Sequence, residues 1–204
     1  QGEGEDPQLY RSGKPFSQTP GKYRRASQSI KGQLAVSVDT GSGSDIWLMS
    51  AEGKLEKNLT GGVGDNVSPS WSPDGNRITF VSNRTGGPQI YVMNGDGSNL
   101  RRLTMAGAYN STPDFGPDGL VVFAGMDEGH SDLFTVDMAG NIRRLTQGQG
   151  SNKDPIWSPD GRWIAFISNR DGQRIWVMSA DGRYQFPISQ SPGSFSTPDW
   201  VLAE

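Results

Sequence analysis

Short runs of alternating polar and apolar residues recur along the chain, and none has helical spacing. Arg77-Ile78-Thr79-Phe80-Val81-Ser82 alternates with a period of two, the pattern of a strand with one buried face. Ser68-Pro69-Ser70-Trp71-Ser72 precedes it, and Gln89-Ile90-Tyr91-Val92-Met93 and Leu100-Arg101-Arg102-Leu103-Thr104 follow. Ser72-Pro73-Asp74-Gly75 joins the first two runs with turn chemistry. Proline presets φ, aspartate suits the third position, and glycine takes the positive φ that closes the hairpin. The series returns at residues 163–168 and 174–178, and in outline at 132–136 and 142–146. The chain therefore predicts four strands per unit.

The units are regularly spaced. Trp71-Ser72-Pro73-Asp74-Gly75 returns as Trp157-Ser158-Pro159-Asp160-Gly161, with Phe115-Gly116-Pro117-Asp118-Gly119 between them. Trp71, Phe115, Trp157 and Trp200 are 44, 42 and 43 residues apart. Four strands at this period predict an all-β fold, a β-propeller of four-stranded antiparallel blades. The four aromatics then read as structural core, wedges between neighbouring sheets.

The first copy has strands at 33–38, 45–49 and 54–60 but no Trp-Ser-Pro-Asp-Gly before them, and the chain ends on an unpaired first strand at 196–201. The simplest closure is a C-terminal clasp that leaves no exposed sheet edge. Four blades then comprise 31–60 with 195–203, 66–104, 110–146 and 152–189. The alternative makes residues 23–28 a degenerate first strand and residues 8–10 a remnant of an earlier unit. That gives about five blades, or a fragment of a six-bladed propeller. Residues 1–30, rich in Gly, Pro, Ser and Gln, are expected to be a flexible leader or linker, with the propeller domain at 31–204.

Composition narrows the function. A net charge of -3 across 204 residues gives no nucleic-acid footprint, and the absence of cysteine removes thiol chemistry and disulfides. The apolar runs are strand-sized, too short for a membrane span. His130 is the only histidine, on a glycine-rich loop, and no Gly-x-Ser-x-Gly elbow accompanies it. No catalytic residue and no metal-ligand set is assigned, and the expected function is binding by a monomer. Asp74, Asp118 and Asp160 read as turn residues. Ser82-Asn83-Arg84 and Ser168-Asn169-Arg170 recur, which points to a structural role at strand ends. The pairs Arg101-Arg102 and Arg143-Arg144 are expected to blunt exposed outer edges.

The segments entering each first strand should converge on one mouth of the central channel. Asp65, Asn66, Ser68, Asn110, Thr112, Asn152, Lys153, Asp154 and Thr197 are accordingly the candidate partner-binding residues, suited to a peptide, a protein loop or a cation.

Residues 68–84 and 89–104 resemble the WD40-like repeats of the TolB family, over roughly 31–203. The resemblance implies a periplasmic or secreted, non-catalytic propeller of the Tol-Pal cell-envelope system that docks a protein, with a Pal-like lipoprotein as the partner it suggests. It also implies that the channel can hold a metal. Asp65 and Asp154 are hard oxygen donors of the kind calcium takes, so calcium is the ion left open there, with no other cofactor. Similar repeats occur in peptidase accessory propellers. A substrate-gating propeller of a prolyl-oligopeptidase-like or tricorn-like peptidase, or a carbohydrate- or cation-binding propeller, are the alternatives.

Overall fold

The computed structural model describes residues 10–11, 14–15, 17–18, 22–127 and 129–200. A small ladder, β1 (Tyr10–Arg11) with β2 (Lys14–Pro15), precedes the repeats. Four four-stranded antiparallel sheets follow in chain order. The first holds β3 (Tyr23–Gln28), β4 (Leu34–Asp39), β5 (Ser44–Met49) and β6 (Leu55–Asn58). The second holds β7 (Asn66–Trp71), β8 (Arg77–Ser82), β9 (Gln89–Asn94) and β10 (Arg101–Arg102). The third holds β11 (Asn110–Phe115), β12 (Val121–Asp127), β13 (His130–Val136) and β14 (Ile142–Arg144). The fourth holds β15 (Asn152–Trp157), β16 (Trp163–Ser168), β17 (Arg174–Ser179) and β18 (Gln185–Pro187). These are the blades of an all-β propeller, and the described residues contain no helix.

Every inner strand carries a β-bulge at the same place, between Tyr23 and Ala26, Val67 and Ser70, Ser111 and Asp114, and Lys153 and Ile156. At three of them a non-glycine residue takes positive φ: Ser68 at 55°, Thr112 at 45° and Asp154 at 50°. A bulge adds one residue and re-aims the side chains beyond it.

Inner strand packs on inner strand from β3 through β7 and β11 to β15. Three of the four aromatics are buried in these seams. Trp71 packs with Leu48, Phe80 and Met93, Phe115 with Ile90 and Phe123, and Trp157 with Leu133 and Phe166. Each such buried side chain contributes roughly 1.5–3 kcal/mol. The packing is close enough to demand glycine at two points. A Cβ on Gly95 would lie 2.7 Å from the Trp71 ring, and one on Gly116 would lie 2.7 Å from Trp157 Nε1.

The described residues hold four complete blades, but the clasp is not formed, and the first blade takes the strand at 23–28 that the alternative reading named. The edge of β4 that the C-terminal strand was expected to fill is occupied by β3, paired from Tyr23↔Val38 to Gln28↔Leu34. The blade domain therefore begins before residue 31, and residues 23–28 are its first inner strand rather than leader. Residues 190–200 form no strand. They lie against the fourth sheet instead, with Gln173 Nε2 donating to Phe195 O at 2.7 Å and Trp200 Nε1 to Ile156 O at 3.4 Å. Trp200 is half-buried there, and Thr197 repeats the positive φ of the bulge residues at 32°. This is the berth of a following inner strand, as β7 beside β3. Residues 1–9 and 201–204 fall outside the described residues, so the remnant strand at 8–10 is described only at Tyr10.

The first and fourth sheets do not pack together as successive sheets do. Among the described residues an ion pair bridges them, Arg25 Nη2 to Asp154 Oδ1 at 2.9 Å, with Arg25 also 3.5 Å from Thr197 Oγ1.

Candidate functional site

The nine residues expected at the channel mouth divide into three groups. Asn66, Asn110 and Asn152 are not at the surface: they are 0%, 4% and 0% exposed. Each is the last member of a polar seam between blades. Thr60 Oγ1 donates to Asp45 Oδ1 at 2.7 Å, and Asn66 Nδ2 donates to the same oxygen at 3.2 Å. In the next seam Thr104 and Asn110 both donate to Gln89 Oε1, at 2.7 and 2.8 Å. In the third, Thr146 and Asn152 donate to Asp132 Oδ1, at 2.6 and 3.4 Å. Each threonine also accepts a backbone N–H, from Ile46, Ile90 and Leu133. Buried polar groups are costly unless fully bonded, and these sets bond one another. At Asp45, burial raises the pKa, but hydrogen bonds from Thr60, Asn58, Gly62 and Asn66 outweigh it and hold the carboxyl below its usual range. The Leu-Thr pairs at 59–60, 103–104 and 145–146 were the sequence signal for this seam.

The recurring arginines complete it. Arg84 donates from Nε to Ser82 Oγ and from Nη2 to Asn66 Oδ1, both at 3.1 Å, and lies over the Phe80 and Tyr91 rings. Arg170 does the same to Ser168 and Asn152, both at 2.9 Å, over Phe166 and Trp176. These arginines are structural, as their recurrence implied. The arginine pairs, expected at outer edges, bond to backbone carbonyls. Arg101 and Arg143 donate to backbone carbonyls of the next blade, Met138 O and Asp181 O, and Lys57 donates to Asp96 O. Arg102 and Arg144 fold back on Thr104 O and Thr146 O.

The second group is Asp154 and Thr197, both held by Arg25. Exposed Lys153 lies beside Asp154 on β15. A cation shared by Asp65 and Asp154 would have to compete with this arginine. Among the described residues no group of three or more His, Cys, Asp or Glu could hold a metal. His130 is exposed at the start of β13.

The third group does come together. Asp65, Ser68 and Thr112 line one cavity of about 220 Å³ between the inner ends of blades two and three, with Asn83, Tyr109 and Ser111. Asp65 Oδ1 and Thr112 Oγ1 are buried and, among the described residues, have no hydrogen-bond partner. Sequence reasoning missed Tyr109, which is 46% exposed. It precedes Asn110 in a polar stretch and carries no repeat mark. Deeper on the same strand, Asp114 accepts from Trp157 N–H at 2.8 Å and Ser70 Oγ at 2.9 Å. Burial pushes its pKa up to about 6 against these bonds, with Asp199 adding a smaller push.

The family model of the TolB beta propeller domain (PD40) matches residues 27–203. The chain belongs to the TolB β-propeller family. A protein TolB homolog of Chlorobium luteolum is 40% identical over 58 residues, which is 28% of this chain and 13% of that protein. The solved structure of a TolB from Agrobacterium tumefaciens superposes with a TM-score of 0.76 at 25% identity, over 87% of this chain and 65% of that one. TolB from Acinetobacter baumannii gives 0.75 at 20% identity, over 89% and 46%. The chain thus spans less than two thirds of these TolB relatives. No helix among the described residues is long and apolar enough to cross a membrane.

Proposed function

We propose that this TolB-type propeller is a non-catalytic docking module of the bacterial envelope. It takes a segment of a partner protein at the mouth between blades two and three. The observation that carries the reading is the cavity at that mouth. Asp65 Oδ1 and Thr112 Oγ1 are buried there without partners, beside an exposed tyrosine. An unpaired buried carboxylate oxygen and hydroxyl cost free energy in the free protein, and N–H donors of an incoming loop would recover it. A tyrosine at a rim adds contact area at little entropic cost. The frame behind the loops is rigid, which lets a surface act without induced order.

A Pal-type peptidoglycan-binding lipoprotein is the partner the TolB relatives suggest, and periplasmic location goes with it. The test is calorimetric titration of the purified propeller with a purified Pal-type lipoprotein lacking its lipid. Saturable binding, weakened about tenfold or more by Asp65→Ala or Tyr109→Ala, is expected; hot-spot truncations of this kind typically cost more than 1 kcal/mol. Binding that neither substitution changes would move the site elsewhere, and no binding would remove the Pal-type partner.

A further inference from the structure

The third blade lacks the arginine that the second and fourth contain. Pairing aligns Gly125, opposite Asp132, with Ser82 opposite Gln89 and Ser168 opposite Arg174. Two residues on, Asp127 stands at the position of Arg84 and Arg170. Where the guanidinium lies in the sister blades, the third has a cavity of about 170 Å³ lined by Asn110, Phe123, Gly125, Met126, Phe134 and Ile142.

The walls of the slot are those that hold arginine elsewhere. Phe123 and Phe134 stack at 5.6 Å, as Phe80 and Tyr91 do at 5.9 Å beneath Arg84. Asn110 is 96% buried, the complement of its 4% exposure. Its Nδ2 is spent on Gln89 Oε1 and Ala106 O, which fixes the amide orientation. That leaves Oδ1 as the atom equivalent to those that Arg84 and Arg170 grip, and among the described residues no donor reaches it. A Cβ on Gly125 would come within 2.8 Å of this oxygen, so glycine keeps the slot open. Arg144 from β14 lies over the Phe134 ring at 5.6 Å, held there by Nε to Thr146 O and Nη2 to Asp132, so it flanks the slot and does not reach Asn110 Oδ1.

One further difference makes the slot able to stand open. Behind Asn66 and Asn152 lie carboxylates, Asp45 and Asp132, which the fixed arginines help to neutralise. Behind Asn110 lies neutral Gln89. Emptying either sister slot would strand a buried charge, a costly state; emptying this one does not. We infer that blade three presents a receptor slot for an arginine side chain of a partner protein, its guanidinium on the Phe123 and Phe134 rings and donating to Asn110 Oδ1. Cation–π contact and a charge-directed hydrogen bond supply the preference. The slot is separate from the mouth cavity, so its failure would leave the docking proposal untouched.

The experiment is an NMR titration of the propeller with N-acetyl-arginine methylamide, with the citrulline and norleucine analogues in parallel. Millimolar binding is expected, with shifts centred on the amides of Gly107, Asn110 and Gly125. Citrulline, the neutral near-isostere, should bind about tenfold more weakly. The double variant Gly125→Ser with Asp127→Arg restores the Ser-x-Arg pair of the sister blades and should abolish binding. Should it not fold, Phe134→Leu takes its place and should weaken binding several-fold. Equal binding by norleucine or citrulline, binding that survives the double variant, or no shift at Gly125 up to tens of millimolar arginine would each overturn the assignment.

Discussion

Asp114→Asn is predicted to stabilise the propeller at neutral pH while changing little in acid. Asp114 lies on an inner strand where burial raises its pKa to about 6, from 3.8 in an exposed chain. Below pH 3.8 the carboxyl is protonated in both states and carries no penalty. As pH rises through 3.8 the unfolded chain releases its proton and the folded chain keeps it, so stability falls until the folded carboxyl also ionises near 6. A shift of about two pH units corresponds to about 3 kcal/mol, an upper bound on the loss above pH 7.

Asparagine removes that loss. Its Oδ1 can accept Trp157 N–H, and its amide can donate to Ser70 Oγ where the carboxylate accepted. Exchanging charged for neutral acceptors costs about 1 kcal/mol. The expected result is a variant more stable than the parent by about 1–2 kcal/mol at pH 7.5, with the difference vanishing or reversing near pH 4. Urea unfolding followed by tryptophan fluorescence from pH 4 to 8 measures it. Asp74, Asp160 and Asp181 are held below their usual range by hydrogen bonds from Ser72, Ser158 and Ser179, and weaken the protein as pH falls. The difference between variant and parent cancels that opposing slope. A variant destabilised equally at pH 4 and pH 7.5 would show that Asp114 is ionised and stabilising, and would refute the reasoning.

Three further outcomes are expected. Asn152→Ala leaves Arg170 Nη2 without its acceptor and Asp132 with one donor fewer, and should cost about 1–3 kcal/mol in urea unfolding; a cost under 0.5 kcal/mol would deny the seam its role. Gly116→Ala drives a methyl to 2.7 Å from Trp157 Nε1 and should destabilise by about 1–3 kcal/mol, with a shifted tryptophan emission. Arg25→Ala breaks a partly exposed pair and should cost no more than about 1 kcal/mol; cooperative loss of all four blades would instead make that pair the closure of the ring.

Much of the fold was legible because its turns demand particular chemistry. Gly75, Gly119 and Gly161 take φ of 66°, 77° and 69°, and the phrase around them cannot drift far and still close the hairpin. The first inner strand was legible only as the alternative, a degenerate strand at 23–28, because Gln28 stands where the other copies place an aromatic. Its trace was Ser29-Ile30-Lys31-Gly32, which makes the same turn: Gly32 N–H donates to Ser29 O at 2.9 Å as Gly75 donates to Ser72 O at 2.8 Å. The three asparagines were misplaced for a different reason. Asn66 and Trp71 are five residues apart, so simple alternation puts them on opposite faces. The bulge at Ser68 adds one residue and returns them to the same face, where both are buried. A bulge leaves no mark in a polar–apolar pattern, so which polar residues reach solvent could not be read from the chain.

Repetition explains why the candidate sites were the least legible part. A residue that recurs in every blade serves what every blade needs: a turn, a wedge or a seam. Binding needs something one blade has and its neighbours lack, and in a repeat such departures look like decay. Blade three departs from blades two and four with Phe115-Gly116 for Trp-Ser, Gly125 for serine and Asp127 for arginine. Decay alone would leave random losses. Here the loss of Arg goes with the loss of its serine partner and with Gln89 in place of the buried carboxylate, so charge and space are vacated together. The mouth cavity abuts the same segment, through Tyr109, Ser111 and Thr112. The mouth cavity and the arginine slot thus lie on the two sides of one short stretch, residues 106–112. That is the distribution expected if blade three has been released from uniform packing to bind something.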